Sequence, residues 1–424
     1  MLDIKFIREN LEKVKTAAKN KNREVDFEKL LDLDEKHRSL TQEVEKVRAE
    51  RNVISQQRTV NSKQLTDNSE QRTKGRELKE QLKRLEEGQK KITEELNLLL
   101  LTVPNVPHES VPVGKDASGN KEVAKWGNLP KFDFPPKDHI TLAKDLDLVD
   151  FDRGVKVGGF RQYFLKNEGA LLEMAVLTHA YRKIAKKGYI PLVAPSIVKE
   201  FTLLGNGQFP WGREEVYHLE KDNMYLAGTA EVPVTAYFSG EVLDERILPK
   251  KFVAFSSCFR REAGSYGKDT KGLYRLHQFN KVEQVIVTNN EEKQSLEFLE
   301  ELRKNSEEIL QDLELPYRVL LMCTGDMGEP QVKKYDIETW MPSRNAYGET
   351  MSDSFMGDFQ ARRLNIRYRT GKNVLQFCHT LNNTAIASPR ILIAIFENCQ
   401  REDGSITVPK VLQDFVGTDV ITKR

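Results

Sequence analysis

The sequence predicts an α+β protein in which an N-terminal antiparallel helical hairpin precedes a larger domain of mixed helices and strands. Two series of apolar residues with heptad-like spacing, in the ranges 30–54 and 78–99, flank a polar stretch with turn-forming residues. Several prolines and glycines follow from Pro104, and alternating apolar and polar segments beyond them indicate strands. At 424 residues, the chain is long enough for two domains.

Composition narrows the class of protein. The 66 lysines and arginines nearly balance the 64 aspartates and glutamates, so a basic surface that binds nucleic acid must be local. The cysteines are far apart and form no CxxC pair, which argues against a zinc site and a disulfide framework; they are Cys258, Cys323, Cys378 and Cys399. The N-terminus is charged from its third residue, and the apolar runs are too short to cross a bilayer. We therefore expect a soluble cytoplasmic protein with no membrane partner.

Residues 3–20 are predicted to form one short helix with Asp3 as its N-cap. The two heptad-like series that follow predict two long helices joined by a turn, and a first helix of about 38 residues would be roughly 55 Å long. The seam residues are Leu30, Leu33, His37, Leu40, Val44, Val47 and Ile54 in the first helix, and Leu78, Leu82, Leu85, Gln89, Ile92, Leu96 and Leu99 in the second.

The outer half of this hairpin, residues 51–84, is net basic. It carries nine basic residues, Arg51, Arg58, Lys63, Arg72, Lys74, Arg76, Lys79, Lys83 and Arg84, against the four acidic residues Asp67, Glu70, Glu77 and Glu80. Taken alone, the pattern is typical of a solvated coiled-coil face. A surface that contacts the phosphates of a nucleic acid is the alternative.

The chain from 106 to 130 is predicted to be a linker between a hairpin domain, residues 1–105, and a larger domain, residues 131–424. Pro107, Pro112 and Gly114 interrupt the helical pattern in the linker. The first strong helix of the larger domain is predicted over Glu168 to Lys187, before Gly188 and a strand-like run. A further helix over Glu291 to Leu313 has an apolar face that predicts a core position.

The stretch from Phe255 to Val287 predicts a strand, a charged flexible loop and a second strand. Side chains alternate between the faces of a strand. Arg260 and Glu262 therefore point one way, and Arg275, Phe279 and Glu283 share one face if the returning strand stays extended. Guanidinium groups suit phosphates, an aromatic ring suits a base and a carboxylate suits an ammonium. A solvated hairpin with ordinary surface charges is the alternative interpretation.

Phe259-Arg260-Arg261-Glu262 resembles the F-R-x-E signature, motif 2, of class II aminoacyl-tRNA synthetases. The longer run from 261 to 284 is similar to that of bacterial-type seryl-tRNA synthetases, and the resemblance extends from Met1 to about Gly417. It implies a class II catalytic domain with an antiparallel sheet flanked by helices. It also implies a serine–tRNA ligase that uses ATP, L-serine and tRNA(Ser), with tRNA(Sec) as a further candidate, and an arm that contacts the tRNA backbone.

Other segments resemble further motifs of this family. Gly188 to Pro195 fits motif 1, which implies a homodimer, although a helix–strand core unit with an edge proline explains the same residues. Thr229-Ala230-Glu231 resembles the T-x-E loop over the amino-acid pocket, and an ordinary turn before a helix is the alternative.

The C-terminal third carries two more of these segments. The run from Glu349 to Ser352 resembles the family's E-x-x-S segment, with Asp353 where many relatives have cysteine, and a D-F-Q-A-R-R sequence follows. The stretch from 378 to 400 resembles motif 3. There Ser388 is predicted to be the N-cap of a helix and Pro389 its first residue. Arg390 would then lie at the positive end of the helix, where a cation is unfavourable unless an anion binds.

The resemblance implies a role for each matched residue. Arg260 bridges the serine carboxylate and the α-phosphate, Arg275 and Arg390 hold the distal phosphates, Phe279 stacks on adenine with Glu262 at the adenine edge, and Glu283 holds the serine ammonium. The implied ATP site comprises Arg260, Arg261, Glu262, Arg275, Leu276, Phe279, Glu349, Thr350, Met351, Ser352 and Arg390, and the serine site Thr229, Ala230, Glu231, Arg260, Glu283 and Thr384. Arg260 and Arg390 are the implied catalytic residues. Glu349 and Ser352 would hold Mg²⁺ with ATP, and no zinc is expected.

Two rival interpretations remain. A threonyl- or prolyl-type synthetase shares the three motifs but carries a C-terminal anticodon-binding domain, whereas 34 residues follow Arg390 here. A non-catalytic binding protein that kept the fold is expected to lose motif arginines or carboxylates, and this chain keeps them.

Overall fold

The computed structural model describes residues 1–61, 69–265 and 271–424, and the side chains of 57–61, 69–72 and 265 lie outside this description. The chain forms two compact units. One comprises Leu2–Lys19 and Arg23–Pro104, and the other comprises Met1, Asn20–Asn22 and Asn105–Arg424.

The smaller unit is helical, with α1 (Ile4–Glu9), α2 (Leu11–Asn20), α3 (Phe27–Asn61) and α4 (Ser69–Leu100). The predicted seam between the long helices is confirmed: Val44 and Val47 of α3 pack with Leu78 and Leu82 of α4. Polar contacts flank this apolar seam, because Gln89 Nε2 donates to Thr41 Oγ1 over 2.8 Å and the Arg48 guanidinium lies 2.7 Å from the Glu86 carboxylate.

The prediction of one helix over residues 3–20 was wrong. The chain breaks between α1 and α2 at Asn10, whose backbone N–H and side-chain amide both donate to the carbonyl oxygen of Phe6. A side-chain amide that competes for a backbone acceptor favours a helix end, so α2 starts afresh at Leu11.

The structure describes only some of the charged residues in the hairpin's outer half. Lys63, Asp67 and the side chains of Arg58, Glu70 and Arg72 lie outside the described residues. In the part of α4 that belongs to this outer half, the described basic side chains are all exposed: Lys74, Arg76, Lys79, Lys83 and Arg84.

The larger unit contains nine helices and eighteen strands within the described ranges. Its helices are α5 (His139–Asp145), α6 (Phe151–Gly158), α7 (Asn167–Lys186), α8 (Glu200–Asn206), α9 (Glu231–Thr235), α10 (Glu292–Asp312), α11 (Phe359–Leu364), α12 (Arg390–Asn398) and α13 (Gln413–Val416). Its strands are β1 (Lys121–Trp126), β2 (Val149–Asp150), β3 (Phe164–Leu165), β4 (Ile190–Val193), β5 (Ile197–Val198), β6 (Tyr217–Leu219), β7 (Met224–Leu226), β8 (Val242–Asp244), β9 (Lys250–Phe259), β10 (Gln278–Thr288), β11 (Tyr317–Leu321), β12 (Lys333–Met341), β13 (Ala346–Gly357), β14 (Arg367–Arg369), β15 (Leu375–Phe377), β16 (His379–Ala387), β17 (Ile406–Thr407) and β18 (Val420–Ile421).

An eight-stranded sheet forms the centre of this unit, in the order β1-β11-β12-β13-β16-β10-β9-β4. Every pairing in it is antiparallel except that of β4 with β9 at one edge, which is parallel. The predicted fold class, an antiparallel sheet flanked by helices after a helical hairpin, is therefore confirmed.

Two long helices, α7 and α10, pack against the central strands and bury the largest apolar cluster of the unit. Both match predicted helices to within one residue at each end. Leu299, Leu302, Ile309 and Leu310 of α10 are fully buried, which confirms the predicted core position. Gln284 of β10 donates to the carbonyl oxygen of Leu302, so this strand's even-numbered side chains face α10 and its odd-numbered ones face the opposite side.

Within the described ranges, no helix has both the length and the apolar character that a membrane span requires.

Candidate active site

A cleft opens on the sheet face opposite α10, over the neighbouring strands β13, β16 and β10 and beside the end of β9. Its volume is about 830 Å³, including space open to solvent. The lining residues are Gln208, Thr229, Glu231, Arg260, Glu262, Leu273, Tyr274, Arg275, Leu276, Phe279, Lys281, Glu283, Glu349, Thr350, Met351, Ser352, Asn382, Thr384, Ala387, Ser388, Pro389 and Arg390. The cleft therefore unites most of the residues that the sequence motifs single out.

One end of the cleft is a small polar pocket. Glu283 of β10 lies directly opposite Thr384 of β16 in the sheet register, and the Thr384 hydroxyl donates to Glu283 Oε2 over 3.3 Å. Lys281, two residues before Glu283 on the same face, places its ammonium 2.5 Å from the same carboxylate oxygen. It also donates to the Thr229 hydroxyl over 2.7 Å.

A second carboxylate, Glu231 at the start of α9, closes this pocket. Glu231 Oε1 accepts hydrogen bonds from Gln360 Nε2 at 2.9 Å and from Asn382 Nδ2 at 2.8 Å. Burial, and next the neighbouring Glu283 carboxylate, raise the pKa of Glu231 above its usual value. Gln360 belongs to the D-F-Q-A-R-R segment, so that motif supports the pocket from behind.

The other end of the cleft is lined by cationic side chains. Arg260 directly follows β9, donates from Nε to the carbonyl oxygen of Gly228 over 3.3 Å, and places its guanidinium 5.2 Å from the centre of the Phe279 ring. Arg275 NH1 donates to Glu262 Oε2 over 3.1 Å. The predicted returning strand begins only at Gln278, so the assumption that Arg275 lies in an extended strand was wrong. Arg275 reaches the cleft from the bend that precedes this strand.

Arg390 is the first residue of α12, and its side chain spans the cleft floor. Nε donates to the carbonyl oxygen of Tyr274 over 3.0 Å, and NH1 donates to the carbonyl oxygen of Glu349 over 3.0 Å and to Glu349 Oε2 over 3.3 Å. Its guanidinium also lies 4.5 Å from the centre of the Tyr274 ring. These acceptors hold a cation at the positive end of a helix, with room in the cleft beside it.

The predicted N-cap of α12 was wrong by one residue. Pro389 occupies the cap position and α12 begins at Arg390. The Ser388 hydroxyl donates to Glu173 Oε1 of α7 over 2.6 Å instead of capping the helix. This long-range hydrogen bond outcompetes the local one, and the sequence gives no sign of it.

Glu349 and Ser352 lie on β13 beside the cationic end. Burial acts to raise the pKa of Glu349, but the charges of Arg390, Lys334 and Arg260 outweigh it and hold the pKa below its usual value. A carboxylate and a hydroxyl at the cleft wall are hard oxygen ligands, and they fit Mg²⁺ if ATP phosphates supply most of the remaining ligands. Among the described residues, no group of three or more His, Cys, Asp or Glu side chains could hold a metal ion.

Asp353 lies on the opposite face of β13 from this possible metal site. It pairs in register with Asn383 of β16 and is fully buried. Burial, and next the Glu300 carboxylate of α10, raise the pKa of Asp353 well above its usual value. The residue that departs from the usual motif therefore belongs to the interface with α10.

Two predicted residues do not line the cleft with their side chains. The Arg261 side chain is exposed beyond the cleft rim, and the Ala230 methyl group packs in a buried cluster with Val234 and Phe252.

Sequence reasoning missed several residues that do line the cleft, among them Lys281, Asn382, Tyr274 and Gln208. Strand alternation could have found two of them: Lys281 shares its face with Phe279 and Glu283, and Asn382 shares its face with Thr384. Tyr274 and Gln208 lie outside helices and strands, where no periodicity marks them.

Comparison with known protein families gives two matches. Residues 1–107 match the seryl-tRNA synthetase N-terminal domain, and residues 216–399 match the class II core domain of the tRNA synthetases for G, H, P, S and T. The serine–tRNA ligase of Deinococcus radiodurans is 46% identical over 417 residues, which are 98% of each chain.

Solved structures agree with these matches. The seryl-tRNA synthetase of Pyrococcus horikoshii, complexed with ATP, aligns with a TM-score of 0.91 and 37% identity over 100% of both chains. The cytoplasmic serine–tRNA ligase of Naegleria fowleri, in complex with AMP, aligns with a TM-score of 0.87 and 32% identity over 100% of this chain and 99% of the other. A shared core, a shared N-terminal domain and full-length similarity place this chain in the seryl-tRNA synthetase family of aminoacyl-tRNA ligases.

Proposed function

We propose that this protein activates L-serine with ATP to form seryl-adenylate and then transfers the seryl group to tRNA(Ser), with tRNA(Sec) as a further candidate acceptor. The observation that carries this proposal is the division of one cleft into two ends. Arg260, Arg275 and Arg390 line the end that suits phosphates. Glu231 and Glu283, with two threonine hydroxyls, line the end that suits a small amino acid.

In the first step, a carboxylate oxygen of serine attacks the α-phosphorus of ATP. A new P–O bond forms, the bond to the β-phosphate oxygen breaks and pyrophosphate leaves. Arg260 lies where the two ends of the cleft meet. It contacts both Gly228, which directly precedes Thr229 of the amino-acid pocket, and the Phe279 ring. Its guanidinium can therefore hold the serine carboxylate and the α-phosphate together. Positioning and neutralisation of negative charge provide most of the catalysis.

We assign the remaining ATP contacts to other residues that line the cleft. Phe279 offers its ring to the adenine, with Glu262 and Leu276 at the base edge, while Arg275 and Arg390 bind the distal phosphates. Glu349 and Ser352 would hold Mg²⁺, which neutralises phosphate charge when it is bound. Thr350 and Met351 line the cleft wall between Glu349 and Ser352. Arg261 lies beyond the rim of the cleft, and we assign it a contact with ATP there.

In the second step, the terminal hydroxyl of the tRNA takes the seryl group from the adenylate, and AMP leaves. We assign tRNA binding to the hairpin domain, residues 1–105. A linker, 106–130, which also supplies strand β1 of the central sheet, precedes the catalytic domain, 131–424. The exposed lysines and arginines of α4 support this assignment because they suit phosphate contacts with little base recognition.

A non-catalytic binding protein is the weaker alternative, because both ends of the cleft are complete. Serine-dependent exchange of pyrophosphate into ATP tests the proposal directly. Exchange that is absent with serine, ATP and Mg²⁺ would reject it.

Glu283→Gln is expected to lower kcat/KM for serine in this exchange by more than about a hundredfold, because a neutral amide cannot balance the bound ammonium. The amide oxygen can still accept from Lys281, so the substitution avoids leaving that ammonium buried without an acceptor. Glu301→Gln is the matched control, since Glu301 pairs with Lys251 away from the cleft. A near-normal rate in Glu283→Gln would refute the assignment of Glu283.

We also propose a cytoplasmic homodimer that associates through the sheet edge formed by β4 and the adjoining face of α7. Four large apolar side chains there are exposed: Val193 is 79% exposed, Met174 53%, Ile190 43% and Leu171 41%. Apolar side chains clustered at the edge of a sheet favour association over solvation.

Replacing both Met174 and Val193 by aspartate is expected to convert the dimer to a monomer at micromolar concentration, because each aspartate would be desolvated at the interface. Light scattering after size-exclusion chromatography measures the mass. Val123→Asp is the control, because Val123 is also exposed but lies on β1 at the other edge of the sheet. An unchanged mass for the double variant would move the interface elsewhere.

A further inference from the structure

Lys281 lies in the amino-acid pocket, although the motif that contains it assigned it no role. Its side chain is 5% exposed, and its ammonium contacts Thr229 Oγ1 at 2.7 Å, Thr384 Oγ1 at 3.3 Å and Glu283 Oε2 at 2.5 Å. An ammonium has three N–H donors and no acceptor. These three contacts use all of them, so Lys281 acts on a ligand through its neighbours.

The Thr229 hydroxyl is restricted by what it already accepts. Besides the hydrogen bond from Lys281, Thr229 Oγ1 accepts one from the backbone N–H of Glu231 over 3.1 Å. A hydroxyl has two lone pairs and one proton. Because both lone pairs are occupied, Thr229 can only donate to a bound ligand.

The Thr384 hydroxyl is restricted in the complementary way. It accepts from Lys281 and donates its own proton to Glu283 Oε2. One lone pair remains, so Thr384 can only accept from a ligand. The two threonines thus offer one donor and one acceptor, which match a substrate hydroxyl because a hydroxyl both accepts and donates.

The net charge of the pocket also matches an amino acid. Glu231 and Glu283 carry two formal negative charges and Lys281 one positive charge, which leaves a single negative charge for one ammonium. Lys281 also opposes the rise in the pKa of Glu231 that burial and Glu283 cause. Without the lysine, two buried carboxylates would face each other, a state that favours taking up a proton over binding an amino acid.

We propose that Lys281 is the positioning residue that makes this pocket specific for a hydroxyl-bearing amino acid. It fixes Thr229 as a donor, it holds the Glu283 carboxylate that takes the Thr384 proton, and it sets the pocket's net charge to match one ammonium. This inference rests on the proposed activation of serine. Beyond that activity, it identifies Lys281 as the residue through which the pocket rejects alanine. Alanine is smaller than serine and would otherwise enter the pocket freely.

Lys281→Met tests the proposal, because methionine fills a similar length without a charge or a donor. The serine-to-alanine ratio of kcat/KM in pyrophosphate exchange is expected to be about 10⁴ or more in the unmodified protein and to fall at least about a hundredfold in the variant. The KM for ATP should change by less than about twofold, because the phosphate contacts lie at the other end of the cleft. Lys251→Met, which removes a paired lysine from the neighbouring strand β9, is the control and should keep the ratio.

The unmodified protein provides a second measurement that does not depend on folding of the variant. 3-Fluoro-L-alanine has a side chain close in size to that of serine and can accept a hydrogen bond weakly, but it cannot donate one. It should be used less than about tenfold better than alanine, because Thr384 needs a donor from the ligand. Fluoroalanine used nearly as well as serine would overturn the proposal even if Lys281→Met does not fold.

The outcomes separate the two levels of inference. No exchange with serine in the unmodified protein would reject the proposed function itself. Exchange with serine, together with an unchanged serine-to-alanine ratio in folded Lys281→Met, would reject the role of Lys281 and leave the function intact.

Discussion

Arg390→Ala is expected to lower kcat/KM for ATP in serine-dependent pyrophosphate exchange by about a thousandfold, because it removes a preorganised cation from the phosphate end of the cleft. The effect on folding should be small. Relief of an unfavourable charge at the start of α12 contributes roughly 0.3–1 kcal/mol, which offsets part of the cost of losing charge-assisted hydrogen bonds from a partly exposed guanidinium, about 1.5–3 kcal/mol.

Arg344→Ala is the matched control for this variant. The Arg344 guanidinium lies 4.5 Å from the centre of the Tyr274 ring, the same distance as that of Arg390, but Arg344 is outside the cleft lining. Exchange kinetics at varied ATP and thermal unfolding of both variants distinguish the two roles. A large fall in the unfolding temperature with an unchanged KM for ATP would show that Arg390 serves the fold.

Deleting the outer part of the helical hairpin, from Lys36 to Glu94, and joining the ends with a short turn should lower aminoacylation by at least about a thousandfold, because the deletion removes the side chains that we propose bind tRNA phosphates. Lys36 and Glu94 each lie five residues from the hydrogen-bonded pair Thr41 and Gln89, so the two ends face each other across the hairpin. Pyrophosphate exchange should stay near the unmodified rate, since every cleft-lining residue lies beyond residue 200.

Charge reversal offers a milder version of the same experiment. Changing the exposed Arg76 and Lys79 to glutamate should weaken tRNA binding and lower the slope of log affinity against log salt by roughly 0.7–0.9 for each phosphate that is no longer bound. Arg72 is a further candidate whose side chain lies outside the described residues. Changing the exposed Lys90 and Lys91 near the hairpin base serves as the control.

The effect of both changes should be largest for a tRNA with a long variable arm. Normal charging of tRNA by the shortened protein would mean that the hairpin has a structural role, and that its lysines and arginines form an ordinary solvated surface.

Periodicity explains most of what the sequence predicted. The seam of α3 and α4 and the cores of α7 and α10 follow from spacing, since apolar side chains repeat where a helix buries one face. Residue order in the motifs identified Glu283, Thr384 and Arg390, which the sheet then brings into one cleft.

Long-range competition explains what was missed or predicted wrongly. Ser388 has the chemistry of an N-cap but bonds to Glu173, which is 215 residues away. Arg275 precedes its expected strand because the backbone bends over residues 271–275. Lys281 resembles an ordinary charged strand residue until its three acceptors, from two other segments and its own strand, are seen together.

The pairing of Glu283 with Thr384 across neighbouring strands has a consequence for how the protein is made. The two residues are 101 positions apart, and β16 and Arg390 follow β10 and β13 in the chain and leave the ribosome after them. A nascent chain that has emerged only as far as β13 therefore presents Glu283 and Glu349 without Thr384 or Arg390. It can bind neither substrate as the folded enzyme does, and ligand binding during synthesis should first appear once β16 and α12 have emerged.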